Sequence, residues 1–317
     1  MRRPRLSFAC TGQLLVVLAL VLPLLANCSR GDETTVDLES VVGDFVKNVP
    51  RRGSEGMTLP TAAESDRFID ALRAAQGGDL EQAQRLGADL GYQVRAVTDD
   101  PTRRLLYLFG EQQDEDGSWP HGWGLYVVAA HRARPLLIEV PHPVYDINTA
   151  EVGVAAFRRG DAEALFVAGA HRYANADGSS DVAHEADTMF ARVNEALVDE
   201  RHVVFQPHGF SDEGSDSGDY GDVVVSAGTP MPPPAVVAVS AALRTAGFDV
   251  CQYDGDRCTA LGATRNVEGM WCRTVGATFV HLELDRDVRD NPEQRIRVAH
   301  TAVDALEHAG VLDPDPS

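Results

Sequence analysis

The chain has 317 residues, of which 44% are hydrophobic and 24% charged, and this composition is typical of a globular protein with one large core. It contains 48 acidic and 28 basic residues and carries a formal net charge of −20. Such a charge repels nucleic acid and anionic membrane surfaces, so neither is expected as a partner. The expected partner is a small-molecule or peptide substrate.

The first 28 residues have the pattern of an export signal. Three arginines precede an apolar run, Leu14–Leu25, that is too short to span a bilayer comfortably. The run ends in Leu-Ala-Asn-Cys, which resembles a bacterial lipobox, and Cys28 is then the residue that would be lipidated. Cleaved secretion and an uncleaved anchor are the alternatives. All three predict an extracytoplasmic domain. Contact with the membrane is expected only through a lipid anchor.

Three cysteines follow the signal: Cys251, Cys258 and Cys272. An oxidising compartment favours one disulfide among them, and the sequence leaves its pairing open. A zinc site made of all three is the competing interpretation, but their spacing lacks the close C-x-x-C pair of structural zinc sites.

Residues 29–60 have the composition of a tether, and residues 61–317 predict one α/β domain. Helices are predicted at Glu64–Ala75, Asp79–Leu90, Thr149–Arg159, Val182–Asp199, Ala235–Ala246 and Glu293–Ala309. Strands are predicted at Tyr92–Val97, Arg104–Gly110, Gly124–Ala130, Leu136–Val140, Leu165–Ala170, Val203–Gln206, Val223–Ser226, Phe248–Tyr253 and Thr278–Leu284, with a long loop at Asp254–Gly276. Alternating strands and helices beside an antiparallel edge predict a single mixed-sheet α/β sandwich.

The domain is organised around the stretch Leu136–Asp146, LLIEVPHPVYD. Its apolar run reads as a buried strand that stops at a histidine between two prolines, and the prolines hold the backbone extended. In open α/β sheets, functional groups collect in loops beyond the carboxyl ends of strands. His142 and Asp146 are therefore placed at the predicted site, and the strand ending in QPHGF brings His208 to it.

Two histidines and a carboxylate are the kind of ligand set that catalytic zinc uses, with a fourth position left for water. We therefore predict His142, Asp146 and His208 as zinc ligands. Glu151 is an alternative to Asp146, although an acid in the first turn of a helix is also explained by the helix dipole. Each histidine taken alone is more often a capped or hydrogen-bonded structural residue than a metal ligand.

Glu283 interrupts the otherwise apolar strand TFVHLEL, and a buried acid needs a partner or a function. We predict it as the general base that passes a proton to the leaving amine. The alternative is a salt bridge to Arg286 or Arg289.

Further polar residues surround these positions. We predict that substrate is bound by Arg172, Asn175 and Arg289. The guanidinium group of either arginine can bind a substrate carboxylate in bidentate geometry. Asp181 and His184 are predicted as second-shell groups or as alternative metal ligands, which a phosphohydrolase with a second metal would require. The N-cap of the helix predicted at Val182–Asp199 also explains Asp181.

The segments TRNVEGMWC (264–272) and TFVHLELDRDVR (278–289) resemble the end of phage-type poly-γ-glutamate hydrolases, which are similar to carboxypeptidase A-type zinc peptidases. The resemblance covers about residues 135–310. It implies a zinc-carboxypeptidase-like, phosphorylase/hydrolase-like core and hydrolysis of amide bonds. It also implies that His142 and His208 bind zinc, that Glu283 is the catalytic carboxylate, and that Asp146 replaces the family's glutamate.

The sequence thus predicts a secreted zinc-dependent hydrolase of an amide bond in a γ-glutamyl, N-acyl amino acid or cell-wall peptide substrate. The alternative is a non-catalytic surface lipoprotein that binds a metal or ligand on the same fold. A serine hydrolase is disfavoured because the chain has no G-x-S-x-G elbow.

Overall fold

The computed structural model describes residues 34–100, 102–115, 117–131, 133–211 and 220–313. The predicted export signal, Cys28 and the first residues of the predicted tether lie outside these ranges. None of the described helices is long and apolar enough to cross a membrane.

A single ten-stranded sheet forms the centre of the domain. Its strands are β1 (Thr34–Val36), β2 (Tyr92–Asp99), β3 (Leu105–Glu111), β4 (Leu125–Ala129), β5 (Arg134–Val140), β6 (Ala162–Val167), β7 (Val203–Gly209), β8 (Val223–Ser226), β9 (Val250–Gln252) and β10 (Thr278–Leu284), in the order β1-β2-β3-β4-β6-β5-β7-β10-β8-β9. The central strands β6, β5, β7 and β10 are parallel, whereas β2, β3 and β4 pair antiparallel. The predicted mixed-sheet α/β architecture is confirmed.

Helices cover both faces of the sheet, and the central strands β5, β6 and β7 bury side chains on both sides. The helices are α1 (Leu38–Asn48), α2 (Ala62–Gln76), α3 (Leu80–Ala88), α4 (Thr149–Arg159), α5 (Met189–Leu197), α6 (Pro234–Thr245), α7 (Val267–Val275), α8 (Arg286–Asp290) and α9 (Pro292–His308). Core residues of α1, α4, α6 and α9 pack on one face, and those of α2, α3, α5 and α7 on the other. We call the second face the site face.

The period-two alternation of the strands decides which side chains reach the site face. In β5, Leu136, Ile138 and Val140 pack with α4 and α9, and Leu137 packs on the site face. The residue between Ile138 and Val140 is Glu139, which is therefore placed on the site face. The same alternation places polar residues of β7 and β10 there.

Residues 34–60 do not form the predicted tether but fold as part of the domain. Strand β1 pairs in parallel with β2, and Asp37 caps α1 by accepting from the N–H groups of Glu39 and Ser40. Leu38 and Val42 are buried in the core. The apolar patch between Val36 and Val46, which the sequence shows as a candidate for packing on the domain, forms the buried face of α1.

Two other segments differ from the sequence prediction. The helix predicted at Val182–Asp199 begins only at Met189, where Thr188 accepts from the N–H of Ala191. Asp181 is not a helix cap, because its carboxylate is engaged elsewhere. Within the predicted loop 254–276, Asn266 caps the short helix α7.

The predicted disulfide joins Cys251 to Cys258, and Cys272 is a buried free thiol. A zinc site made of all three cysteines is thereby excluded. The disulfide ties the edge strand β9 to the loop that follows it.

Candidate metal centre

The carboxyl ends of three parallel strands bring the candidate ligands together. His142 follows β5 directly, Asp146 lies one turn later, and the N–H of Asp146 donates to the carbonyl of His142. His208 lies near the end of β7, beside Glu283 of β10 in the strand register. The site therefore forms where the architecture predicts it, at the carboxyl edge of the central strands.

His142, Asp146 and His208 converge on one point. Their ligand atoms all lie within 4.8 Å of one another. Asp146 Oδ2 lies 3.3 Å from His142 Nδ1 and 3.1 Å from His208 Nδ1. All three residues are buried, with exposures of 1%, 2% and 5%. The group has the size and composition of a three-ligand metal site.

The second nitrogen of each histidine is held by another side chain. His142 Nε2 lies 2.8 Å from Asp181 Oδ1, and His208 Nε2 lies 2.8 Å from Gln206 Oε1. Both partners are acceptors, so each Nε2 can donate its proton to a fixed partner when Nδ1 binds a metal. Metal-bound histidines characteristically donate their other N–H to such a partner. Two imidazole nitrogens and one carboxylate fit zinc, whose preferred ligands are of these types.

The electrostatics of the group favour neutral histidine at His208 and an ionised Asp146. Burial lowers the pKa of His208 to about 4. Burial alone would raise the pKa of Asp146, but its contacts with His142 and His208 hold that pKa well below its usual range. Burial alone would lower the pKa of His142, but the carboxylates of Asp146 and Asp181 outweigh this effect and raise the pKa above its usual value. A cation is thus offered one fixed negative charge and one imidazole that is already neutral.

Asp181 connects His142 to the outer part of the site. Its Oδ2 accepts from Arg172 Nη2 at 2.5 Å and lies 3.2 Å from His184 Nδ1. Burial would raise the pKa of Asp181, but His142, His184 and the charge of Arg172 lower it. Asp181 and His184 belong to neither described candidate metal group, and Asp181 instead holds His142, as a second-shell residue does.

Arg172 lies at the border of the metal group. Its Nη1 is 3.5 Å from His142 Nδ1, and its guanidinium lies 5.3 Å from the ring centroids of both Tyr145 and Tyr173. The Nε of Arg172 is buried without a hydrogen-bond partner among the described residues. Because Tyr145 and Tyr173 are 45% and 39% exposed, the arginine stands beside an accessible aromatic surface.

Glu283 faces the same group from β10. It forms a second candidate metal group with His208 and His281, and its Oε1 lies 3.7 Å from His281 Nε2. Burial and the charge of Asp146 raise the pKa of Glu283 to about 8. The alternative salt bridges to Arg286 and Arg289 do not form among the described residues, since Arg286 pairs with Asp290.

Three predicted site residues have other tasks. Arg289 is not free to bind substrate, because it donates to the carbonyls of Leu284, Ile147 and Phe210 and so joins the end of β10 to two loops. Asn175 is also committed, since it exchanges hydrogen bonds with the backbone of Met57. Glu151 lies in the first turn of α4, outside both candidate metal groups, so Asp146 is the carboxylate of the metal group.

Sequence reasoning missed four buried polar residues behind His208, namely Glu139, Gln206, Asn266 and Glu268. Glu139 and Gln206 carry a visible signal, because each is a polar residue at an alternate position of an apolar strand. Asn266 and Glu268 lie in the segment 264–272 that carries the resemblance, but their burial has no signal in the sequence, because the segment is predicted as a loop.

No protein-family model matches the chain, and no curated protein is significantly similar to it. Among solved structures, the chain is similar to the N-formylglutamate amidohydrolase from Ralstonia eutropha JMP134, with 13% identity, a TM-score of 0.43, and coverage of 60% of this chain and 98% of that one. It is also similar to the ectoine utilization protein EutE (DoeB) from Ruegeria pomeroyi, with 12% identity, a TM-score of 0.41, and coverage of 72% and 73%.

A third similar structure is the metallo-carboxypeptidase from Pseudomonas aeruginosa, with 15% identity, a TM-score of 0.38, and coverage of 73% of this chain and 69% of that one. The structural neighbours are thus amidohydrolase-like and carboxypeptidase-like proteins. At TM-scores below 0.5 these likenesses carry no argument about activity, which must be judged from the side chains of the site.

Proposed function

We propose that the protein is a zinc-dependent hydrolase of an amide bond in a carboxylate-bearing substrate. The convergence of two buried Nδ1 atoms on Asp146, with both Nε2 atoms facing fixed acceptors, is the observation that supports it. His142, His208 and Asp146 would hold the zinc. A bound zinc ion supplies a lowered pKa for water and polarisation of a carbonyl oxygen.

Glu283 is the proposed general base and acid. A carboxyl whose pKa lies near neutrality can take a proton from water and return it to the leaving nitrogen. Burial places the pKa of Glu283 at about 8, and no arginine neutralises it through a salt bridge among the described residues. Its position beside His208 in the register brings it to the metal group.

Arg172 is the proposed anchor of the substrate carboxylate. Asp181 fixes the guanidinium through Nη2, and this leaves the unpartnered Nε for another acceptor. Planar bidentate recognition of a carboxylate is the interaction that arginine performs best. The proposed substrates are therefore γ-glutamyl compounds, N-acyl amino acids and cell-wall peptides.

We also propose an extracytoplasmic protein held by a lipid on Cys28. The support is the basic start, the apolar run and the Leu-Ala-Asn-Cys sequence of the first 28 residues. Incorporation of labelled fatty acid by the wild type and its loss in Cys28→Ser is the expected result. Equal labelling of both forms would contradict the anchor.

Hydrolysis by the purified, zinc-loaded protein tests the proposed activity. We expect release of an amine from at least one member of a panel of the three substrate classes. Glu283→Gln should lower kcat by about 10²- to 10⁴-fold with the zinc content unchanged, because only proton transfer is lost. Glu151→Gln is the matched control and should keep full activity. A zinc-loaded wild type that turns over none of the panel would favour the non-catalytic binding protein instead.

A further inference from the structure

We propose that Gln206 is a positioning residue that favours the Nε2-protonated tautomer of His208, and that Glu139, Asn266 and Glu268 hold Gln206 in the orientation required. The consequence for zinc affinity rests on the proposed function. The tautomer itself is a property of the protein alone.

The amide of Gln206 is bound on both sides. Its Oε1 accepts from Asn266 Nδ2 at 2.6 Å and lies 2.8 Å from His208 Nε2. Its Nε2 donates to Glu139 Oε2 at 3.0 Å and to Glu268 Oε2 at 3.4 Å. Three elements, β5, β7 and α7, thus meet at one amide.

Only one orientation of this amide satisfies all four contacts. If the amide were reversed, its NH₂ group would face the NH₂ group of Asn266, and its oxygen would face the two carboxyl groups of Glu139 and Glu268. Two donors would then lie 2.6 Å apart without an acceptor. The orientation present offers His208 Nε2 an acceptor opposite the Asp146 carboxylate, so a neutral His208 can donate from Nε2 and leave Nδ1 available to a metal.

The four contacts of Gln206 lie in the buried interior of the domain. Glu139, Gln206 and Glu268 are completely buried and Asn266 is 3% exposed, so no surface water competes for the four contacts. Glu139 Oε1 and Glu268 Oε1 have no hydrogen-bond partner among the described residues. Two incompletely paired buried acids are costly to the fold. Their common contact is Gln206, which identifies the amide as the group that they position.

Asn266→Asp is the most informative variant. The side chain of Asn266 also accepts from the N–H of Gly269 as the cap of α7, and an aspartate oxygen preserves that bond. The other oxygen would replace the NH₂ donor that now faces Gln206 Oε1. Repulsion between the two oxygens should turn the amide, so that His208 Nε2 must accept and Nδ1 carries the proton.

Two measurements test the effect of Asn266→Asp on His208. Nitrogen-15 NMR of the metal-free protein near pH 7.5 should show a substantial Nε2-protonated fraction of His208 in the wild type and the proton on Nδ1 in Asn266→Asp. Competition titration should show zinc bound 10- to 100-fold more weakly by the variant, the usual effect of removing a second-shell partner. Asn291→Asp is the matched control, because Asn291 caps α9 through the same kind of bonds and the charge change is identical.

Gln206→Met is a second test of the proposal, because it keeps the length of the side chain and removes the acceptor for His208 Nε2. It should lower the Nε2-protonated fraction of His208 and weaken zinc binding about 10-fold. A wild-type tautomer and a wild-type affinity in folded Asn266→Asp or Gln206→Met would overturn the proposal. If the wild type binds no zinc, the proposed function fails, while the tautomer comparison still decides the role of Gln206.

Discussion

The buried acid pair behind the metal centre should make stability depend on pH in a specific way. Burial raises the pKa of Glu268 to about 8, and burial together with the neighbouring charge of Glu268 raises the pKa of Glu139. Glu268→Gln removes one titrating group and keeps the size of the side chain and an oxygen acceptor for Gln206.

The direction follows from the two states of the chain. Below the ordinary pKa of 4.5, the Glu268 carboxyl is protonated whether the chain is folded or unfolded. Between 4.5 and about 8 the unfolded chain releases the proton and the folded chain keeps it, so the free energy of unfolding falls as pH rises. One pKa unit corresponds to about 1.4 kcal/mol, which gives up to about 4 kcal/mol between pH 5 and pH 8.

Urea unfolding of the metal-free wild type and of Glu268→Gln at pH 5, 6, 7 and 8 measures this effect. The stability of the variant relative to the wild type should increase steadily over this range. Glu200→Gln is the control, because Glu200 is exposed and the same charge is removed at the surface. A difference between Glu268→Gln and wild type that stays constant from pH 5 to pH 8 would refute a protonated, buried Glu268.

Three further predictions concern single contacts. Asp181→Asn should weaken zinc binding 10- to 100-fold in a competition titration, because the carboxylate that holds His142 Nε2–H is lost; unchanged affinity would argue against that role. Arg172→Lys should raise KM about 10-fold or more at constant zinc content, because lysine lacks the bidentate fork; an unchanged KM would argue against a carboxylate anchor. Replacing both Cys251 and Cys258 by serine should lower the free energy of unfolding by about 2 kcal/mol, the amount expected for so short a loop, and equal denaturation curves would contradict it.

The sequence predicts the centre of the fold well, because strong local signals coincide there. The bounds of Thr149–Arg159, Val223–Ser226 and Thr278–Leu284 agree with the structure residue for residue. His142 and His208 could be placed together because parallel strands carry their carboxyl ends to one edge. The Pro-His-Pro sequence marks the end of β5 with two residues that cannot continue a helix or a sheet.

What the sequence conceals depends on contacts between distant segments. The sequence predicts Asp181 as a helix cap, but its carboxylate instead contacts His142 and Arg172. Helix α7 has nine residues and begins inside a polar stretch, so its periodicity is too short to recognise. Its capping residue Asn266 reaches Gln206, which lies 60 positions earlier in the chain. Such pairings exist only once the strands and helices have packed.

The metal content of the purified protein tests the central claim most directly. We expect about one zinc per chain after exposure to zinc and dialysis, and loss of that zinc in the double variant His142→Ala, His208→Ala, with folding checked by circular dichroism. A double variant of two exposed histidines, His131→Ala and His308→Ala, should keep the metal. Zinc that is absent from the wild type, or that persists in the His142→Ala, His208→Ala protein, would contradict the assigned centre.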